Sequence, residues 1–361
     1  MDPAKLLRIL ALACGLAVLA VPSAARAQSD VIDYVEAWLA SPHGDYGSQS
    51  FTYWTQDGEV PTNCAACHSE TGFMDFLGAD GSQPGVVDHP AIQSPIGCAA
   101  CHTSAAHALD AVTFPSGVTM EGQGESAICM VCHQGRQSND SVSNAVAGMD
   151  EDAVSADLAF LNIHYRAAAA TMMGSGARGG YQYPGKTYAG RFTHVPSANT
   201  CVGCHEPHTT AVETEGCLSC HRGVEALTDI RTMHQDFDGD GDRAEGIHGE
   251  IMTLHERLGQ AIMVYASEVV GAPIVYSPGR HPYFFADTDG DGTASAEEAV
   301  AANRYQNWTP RLLKAAYNYQ FVAKDPGGYA HNPAYMLQLL YDSLESLSQR
   351  ASIDMASLAR P

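Results

Sequence analysis

Residues 201–205 read CVGCH and residues 217–221 read CLSCH, so the pattern Cys-x-x-Cys-His occurs twice within a short stretch. The same pattern recurs at residues 64–68, 98–102 and 129–133. In this pattern two thiols form thioether bonds with a haem, and the histidine that follows binds its iron. Five copies predict five covalently attached haems of the c type, and the rest of the sequence has to accommodate them.

Disulfides and zinc sites are the alternative interpretations of these cysteine pairs. Zinc ribbons use two Cys-x-x-Cys pairs per metal, and five pairs do not divide by two. A disulfide framework gives no reason for a histidine directly after every pair. The predicted haem-attaching cysteines are Cys64, Cys67, Cys98, Cys101, Cys129, Cys132, Cys201, Cys204, Cys217 and Cys220, and the predicted proximal iron ligands are His68, His102, His133, His205 and His221.

The first 27 residues are typical of a signal peptide. Lys5 and Arg8 precede an apolar run that is too short to span a bilayer, and residues 25–27 read ARA, a small-residue cleavage site. Cys14, the only cysteine outside the motifs, lies in this segment; lipid attachment there is disfavoured because Ala11 stands where a larger apolar residue is usual. We therefore expect a secreted protein in the periplasm or at the cell exterior, with no transmembrane segment.

The chain is strongly acidic, with a formal net charge of -22. This charge disfavours nucleic acids and anionic membranes as partners. It is compatible with calcium, cationic proteins and mineral surfaces, although an acidic surface also serves simply to keep a protein soluble. We predict no nucleic-acid partner.

The composition changes near residue 225. Between residues 44 and 222 Gly, Pro, Ser and Thr are frequent and periodic segments are few, so we expect short helices and loops wrapped on haems that supply the core. Residues 247–269 have helical apolar spacing, and Thr309-Pro310 and Asn332-Pro333 are helix-start signals.

The predicted fold is mainly α with much irregular loop: a multihaem cytochrome c wrapped around a haem chain, plus a helical C-terminal part. The predicted segments are a signal peptide (1–27), a five-haem region (28–225), a helical region with calcium loops (226–350) and a flexible tail (351–361).

Residues 287–298, DTDGDGTASAEE, match the twelve-residue calcium loop, with acids at positions one, three and five, Gly at six and Glu at twelve. The preceding run, residues 281–285, is not a standard entering helix, so we expect a structural calcium ion rather than a sensor. An acidic turn without metal is the alternative. The predicted calcium ligands are Asp287, Asp289, Asp291, Thr293, Ser295 and Glu298.

A second run, residues 236–242, begins in the same way with Asp236, Asp238 and Asp240. Position twelve is Ile247, so the closing carboxylate is missing there. Glu245 and Glu250 are the candidate substitutes, and a second calcium site depends on one of them.

Eleven of the 16 histidines lie outside the motifs. A second histidine on an iron closes it to substrate and gives a lower potential than methionine does. His208 lies three residues after His205 and cannot reach the far side of the same haem, so as a ligand it must bind a different one. His89 and His107 are further candidates, whereas His248 and His255 lie beside an apolar helix stripe and fit ordinary packing.

The sequence resembles a family of exported multihaem c-type cytochromes of metal-respiring and related bacteria. The resemblance rests on residues 41–43, 51–54 and 64–68, 112–117, 162–165, 188–196 and 308–343. It implies low-potential bis-histidine haems in a chain and electron transfer in the periplasm or outside the cell. More distantly, the motif arrangement is similar to that of outer-surface cytochromes that polymerise into conducting filaments. By this resemblance, the distal iron ligands are His43, His164, His194, His208 and His331.

Electron transfer is the favoured functional hypothesis, because it needs positioned, closed irons and no catalytic acid or base. The partners would be redox proteins or an extracellular acceptor, and the protein would be an electron carrier rather than an enzyme. One alternative is a multihaem oxidoreductase in which an open iron acts on a small nitrogen or sulfur compound. Another is a subunit of a conducting filament, in which His43 or His331 would be supplied to a neighbour's haem.

Overall fold

A computed structural model describes the backbone of residues 23–361 and the side chains of residues 31–361. The predicted signal peptide, including Cys14, therefore lies almost wholly outside the described residues. The first described helix, α1 (Ser23–Leu39), continues through the predicted cleavage position after residue 27. Among the described helices, none combines the length and the apolar character needed to cross a bilayer.

Short helices and loops form residues 44–222, and the helices there have no more than seven residues. Three haem motifs coincide with helical turns, and capping residues such as Ser69 and Thr103 begin a new turn immediately afterwards. The helices are α2 (Gln49–Thr52), α3 (Thr62–His68), α4 (Glu70–Phe76), α5 (Cys98–His102), α6 (Ser104–Ala108), α7 (Ser126–Cys132), α8 (Asn139–Ala145), α9 (Ala168–Met173) and α10 (Thr214–Leu218). Short 3-10 turns occur at Gly174–Gly176, Pro196–Ala198, Cys201–Gly203 and Leu227–Asp229, and strands β1 (Val112–Thr113) and β2 (Thr119–Met120) pair antiparallel.

The C-terminal part contains the long helices. Helix α11 (Ile247–Tyr265) continues as a π-helical turn and ends at Gly271, whose φ of +72° is the left-handed conformation that glycine adopts at little cost. The side chains of Thr309 and Asn332 accept hydrogen bonds from amides three residues later, as N-caps do. The predicted helix starts and the predicted stop are therefore confirmed. The remaining elements are β3 (Ile274–Tyr276) paired antiparallel with β4 (Phe284–Ala286), a 3-10 turn (Ala301–Asn303), α12 (Pro310–Ala323), α13 (Gly328–His331) and α14 (Pro333–Ser348).

The densest core lies between α11, α12 and α14, where Leu254, Leu258 and Leu340 are fully buried. Part of the haem region is built into this core. The side-chain amide of Asn318 donates to the backbone carbonyl of Tyr181 and accepts from the backbone N–H of Tyr181. Segment 179–181 therefore has its backbone polar groups satisfied by the C-terminal helices, as a buried segment requires.

The chain is mainly helical, with 41% helix and 5% strand, which confirms the predicted mainly α fold with much irregular loop. Residues 351–361, for which the sequence suggests a flexible tail, contact the C-terminal helices. Leu358 is buried, and the Arg360 guanidinium donates to both carboxylate oxygens of Asp342 at 2.8 and 2.9 Å. The backbone N–H of Ala359 donates to the carbonyl of Phe237 at 3.0 Å.

We expect Arg311→Met to destabilise the folded protein by about 3 kcal/mol, because Asp152 then loses its more buried counter-charge and keeps the Tyr265 hydroxyl and the longer contact with the exposed Arg350. Arg311 donates to both carboxylate oxygens of Asp152, at 2.6 and 3.2 Å, and its side chain is 10% exposed. Guanidinium denaturation of the haem-loaded protein, followed by far-UV circular dichroism, measures the change.

The matched control is Arg350→Met. Arg350 contacts the same Asp152 carboxylate at 3.3 Å, but its side chain is 55% exposed. Exposed ion pairs contribute less than about 1 kcal/mol to stability. Equal losses of stability in the two variants would therefore contradict the assignment of Arg311 as the main partner of Asp152.

Candidate haem and cation sites

Three of the haem motifs are short helical turns that present both cysteines and the histidine together. Motifs 64–68 and 98–102 lie within α3 and α5, and motif 129–133 ends α7. On a helix, residues three and four apart share one face, so the two thiols and the imidazole can approach one planar group. All ten motif cysteines are free thiols.

Each motif histidine faces one histidine from outside the motifs. Two metal–imidazole bonds of about 2 Å each place the ring centroids of two axial ligands roughly 6 Å apart. All five facing pairs have this spacing, and each of the five candidate distal histidines takes part in one pair. The pairs and their ring-centroid distances are His68–His164 at 5.9 Å, His102–His208 at 6.1 Å, His133–His43 at 6.2 Å, His205–His331 at 6.4 Å and His221–His194 at 5.9 Å.

Hydrogen bonds to the Nδ1 atoms set the tautomer of several of these rings. Nδ1 of His68, His133 and His205 lies 2.9, 3.2 and 3.0 Å from backbone carbonyls, which only accept hydrogen bonds. Nδ1 must therefore carry the proton, and Nε2 keeps its lone pair for a metal.

Two carboxylates play the same part for distal candidates. Glu206 lies 3.1 Å from Nδ1 of His208, and Asp325 lies 2.9 Å from Nδ1 of His331. The sequence did not predict a role for Glu206 or Asp325. The one feature that could have indicated such a role is that each acid lies a few residues before a candidate histidine.

Burial keeps several rings neutral, which is the form that binds iron. Desolvation lowers the pKa of His133 to about 4, and it lowers the pKa of His164 to about 4 as well. At His331 burial opposes protonation, but the charge and hydrogen bond of Asp325 outweigh it and raise the pKa.

His164 is held in a backbone conformation that residues other than glycine rarely adopt, with φ of +77°, and Arg166 follows with φ of +56°. Such positions cost on the order of 1–3 kcal/mol and persist where surrounding contacts impose them. The Asn162 side chain accepts from the N–H of His164, and the carbonyl of Lys324 accepts from the N–H of Arg166. These bonds direct the His164 ring towards His68.

His102 has a second histidine neighbour. His107 lies 6.4 Å from it at an interplanar angle of 62°, whereas His208 lies nearly parallel at 14°. The carboxylate on Nδ1 of His208 distinguishes it as the better prepared ligand.

The other candidate histidines have different surroundings. His89 is exposed and contacts Asp88 and Asp75. His255 stacks on Tyr319 at 3.9 Å, and its Nε2 is bonded to the Tyr319 carbonyl. His248 packs against Tyr329. These three positions fit packing or surface roles.

Motif 129–133 lies between two other motifs. The thiol of Cys67 donates to the carbonyl of Val131 at 3.9 Å, and the thiol of Cys132 donates to that of Ala66 at 3.7 Å. In addition, the backbone N–H of Cys201 donates to Ser126 at 3.1 Å. Because the thiols mark the edges where haems would attach, three macrocycles would meet around α7.

These residues fit covalently bound haem: free thiol pairs, paired imidazoles at the spacing of two axial ligands, and Nδ1 atoms bound by carbonyls and carboxylates. The polyheme cytochrome OmcB of Geobacter sulfurreducens (strain DL-1 / KN400) is 25% identical over 367 residues, which covers 82% of this chain and 45% of OmcB. The polyheme cytochrome OmcC of Geobacter sulfurreducens (strain ATCC 51573 / DSM 12127 / PCA) is 30% identical over 256 residues, which covers 61% of this chain and 30% of OmcC. The chain is thus similar in sequence to C-type polyheme cytochromes over most of its length.

The chain spans less than half the length of these two relatives. No family model matches it, and no solved structure matches it.

The loop at residues 287–298 closes around its own acids. Asp287, Asp289 and Glu298 each offer a carboxylate oxygen within 4.8 Å of the others. The backbone N–H groups of Thr288 and Ser295 donate to Glu298 and hold the pKa of its carboxyl at about 2. The closing carboxylate is thus charged and fixed over the loop.

Residues 236–242 have the same turn. In both loops the carboxylate at position one accepts hydrogen bonds from the backbone amides of positions four and six. The carboxylate at position three accepts from the amide of position five, and the carboxylate at position five accepts from the amide of position seven. The carboxylate that accepts from the position-two amide differs. It is Glu298 in the first loop and Glu250, in the first turn of α11, in the second.

Proposed function

We propose that this chain carries five bis-histidine c-type haems and relays electrons between them in periplasmic or extracellular respiration. The observation that supports this most directly is the one-to-one matching of five motif histidines with five others at ring-centroid distances of 5.9–6.4 Å. Bound haem supplies a one-electron iron couple. The residues described above would hold the haem, orient the imidazoles that bind its iron and leave no iron position for substrate.

Two axial imidazoles leave no iron position for substrate and favour a low potential. Catalysis on a small nitrogen or sulfur compound requires an open iron, and every motif histidine has a facing partner. The filament hypothesis would have His43 or His331 bind a haem of a neighbouring subunit. Both histidines instead face motif histidines of their own chain, so no ligand from a neighbour is needed. Electron relay is therefore the function that these contacts support best.

The thiol contacts support a specific haem order. The haem of motif 129–133 would touch those of motifs 64–68 and 201–205, and it would serve as the junction of the relay. Redox proteins or an extracellular acceptor would exchange electrons with the more exposed motifs. Among these, motif 217–221 begins at the end of α10, a helix that has no buried residue.

The experiment is spectroscopic. The purified, exported protein should contain five haems by mass spectrometry and pyridine haemochrome assay. Magnetic circular dichroism should show low-spin iron in both redox states. A substantial high-spin fraction that binds nitrite or hydroxylamine would instead support the oxidoreductase hypothesis.

We also propose a calcium ion in the loop at residues 287–298. Asp289→Asn should weaken calcium binding there by roughly tenfold or more, because the affinity of such loops depends on the number of charged ligands. The asparagine oxygen can still accept from Asp291, so the turn is preserved. Glu297→Gln, at a neighbouring exposed position outside the cluster, should leave the affinity unchanged by isothermal titration calorimetry; equal losses would argue against specific ligation.

A further inference from the structure

The loop at residues 236–250 contains a buried carboxylate that has one oxygen without a hydrogen-bond partner. Asp238 is fully buried, and within the described part of the chain its Oδ2 accepts no hydrogen bond. The carboxylates of Asp240 and Glu245 offer oxygens within 4.8 Å of it, and Oε1 of Glu245 is also buried and unpartnered. An unpaired buried charge is costly, and neighbouring like charges add to the cost.

The nearby guanidinium does not compensate these groups. Arg231 contacts Glu250 and donates to the backbone carbonyls of Gln235 and Glu245. The other oxygen of Glu250 accepts from the N–H groups of residues 237 and 238, at 2.8 and 2.9 Å. Glu250 is therefore paired within the protein, and it holds the start of the loop in place.

The oxygens of this cluster crowd one another, since Asp238, Asp240 and Glu245 each place a carboxylate oxygen within 4.8 Å of the others. A cation among these oxygens would remove the repulsion and satisfy both unpartnered atoms.

We propose that Asp236, Asp238, Asp240 and Glu245 bind a second calcium ion, with Glu245 supplying the carboxylate that is missing at position twelve. The ligands are hard oxygen donors on a loop that repeats the turn of residues 287–298, and calcium accepts such flexible, carboxylate-rich sets more readily than magnesium does. Glu250 positions the loop without binding the ion.

The ion would also hold the chain terminus. Gly239 approaches the tail so closely that an added Cβ would lie 2.5 Å from the carbonyl oxygen of Ser357, and the carbonyl of Phe237 accepts from Ala359. The loop therefore forms part of the surface on which residues 357–359 rest. Calcium should slow tryptic release of residues 351–361 after Arg350.

The experiment titrates the full, haem-loaded chain with calcium after chelator treatment, using isothermal titration calorimetry. The wild-type protein should bind two ions, and Asp289→Asn should retain one strong site. In that background, Glu245→Gln or Asp238→Asn should abolish the remaining strong binding. Asp242→Asn should preserve it, because the Asp242 carboxylate caps the amides of Ala244 and Glu245 outside the cluster.

Undiminished binding in the Glu245→Gln protein, or no strong binding in the Asp289→Asn protein, would overturn the proposal. Glu245 is half-buried at the surface, so its variant tests the site even where Asp238→Asn fails to fold. The visible haem spectrum should be the same in all variants. A normal spectrum without a strong site in the Asp289→Asn protein would refute the second calcium site alone, whereas an abnormal wild-type spectrum would refute the haem proposal alone.

Discussion

Replacing Cys129 and Cys132 with alanine is expected to reduce the yield of folded, exported protein by about tenfold or more. A group that binds only the folded state contributes its binding free energy to stability, and this motif lies between two others. Helix α7 places fully buried Ala127 and Met130 in the core. Losing the haem here would leave a cavity bordered by three motifs, and large core cavities are among the most destabilising changes.

The matched control is the double variant Cys217→Ala, Cys220→Ala. It also removes one haem, but α10 buries no residue, so a four-haem protein should accumulate at near wild-type yield. Quantification of exported protein and haem per chain distinguishes the two cases. Accumulation of the α7 variant as a stable four-haem protein would contradict the junction assigned to motif 129–133.

Under the proposed ligation, His208→Ala should convert one of five irons from low-spin to high-spin. His208 faces His102 at 6.1 Å, and Glu206 fixes its tautomer, so its removal leaves one axial position open. Magnetic circular dichroism should show about one fifth of the iron as high-spin, and carbon monoxide should bind to that fraction in the reduced protein.

His107→Ala is the control for this prediction, because His107 also lies close to His102, at 6.4 Å, whereas the carboxylate of Glu206 prepares His208 as the ligand. It should leave all irons low-spin. The reverse outcome, with high-spin iron in His107→Ala only, would assign the distal position to His107. Full low-spin iron in both variants would mean that either histidine can replace the other.

The local features of this protein were predictable because they depend on short-range chemistry. Thr309 and Asn332 cap helices by bonds to amides three residues away, and the loop at residues 287–298 closes on itself. The haem motifs are equally local. In each case one short stretch contains all the interacting groups, so its spacing determines the outcome.

The matching of distal to motif histidines was not predictable, because it depends on the path of the whole chain. His43 faces the third motif, and His331 faces the fourth. The role of segment 179–181 in the C-terminal core depends in the same way on Asn318, a residue far along the chain. Sequence spacing excluded only one pairing: His208 lies too close to His205 to bind the same haem.

The interleaved histidine pairs have a consequence for biogenesis. Under the proposed ligation, the first motif emerges from the export channel long before His164, and the fourth motif emerges long before His331. Newly attached haems would therefore pass through five-coordinate states while the polypeptide is still crossing the membrane. The immature chain would be most vulnerable to peroxide and to small gaseous poisons during that interval, and protection would be complete only after the C-terminal helices have arrived.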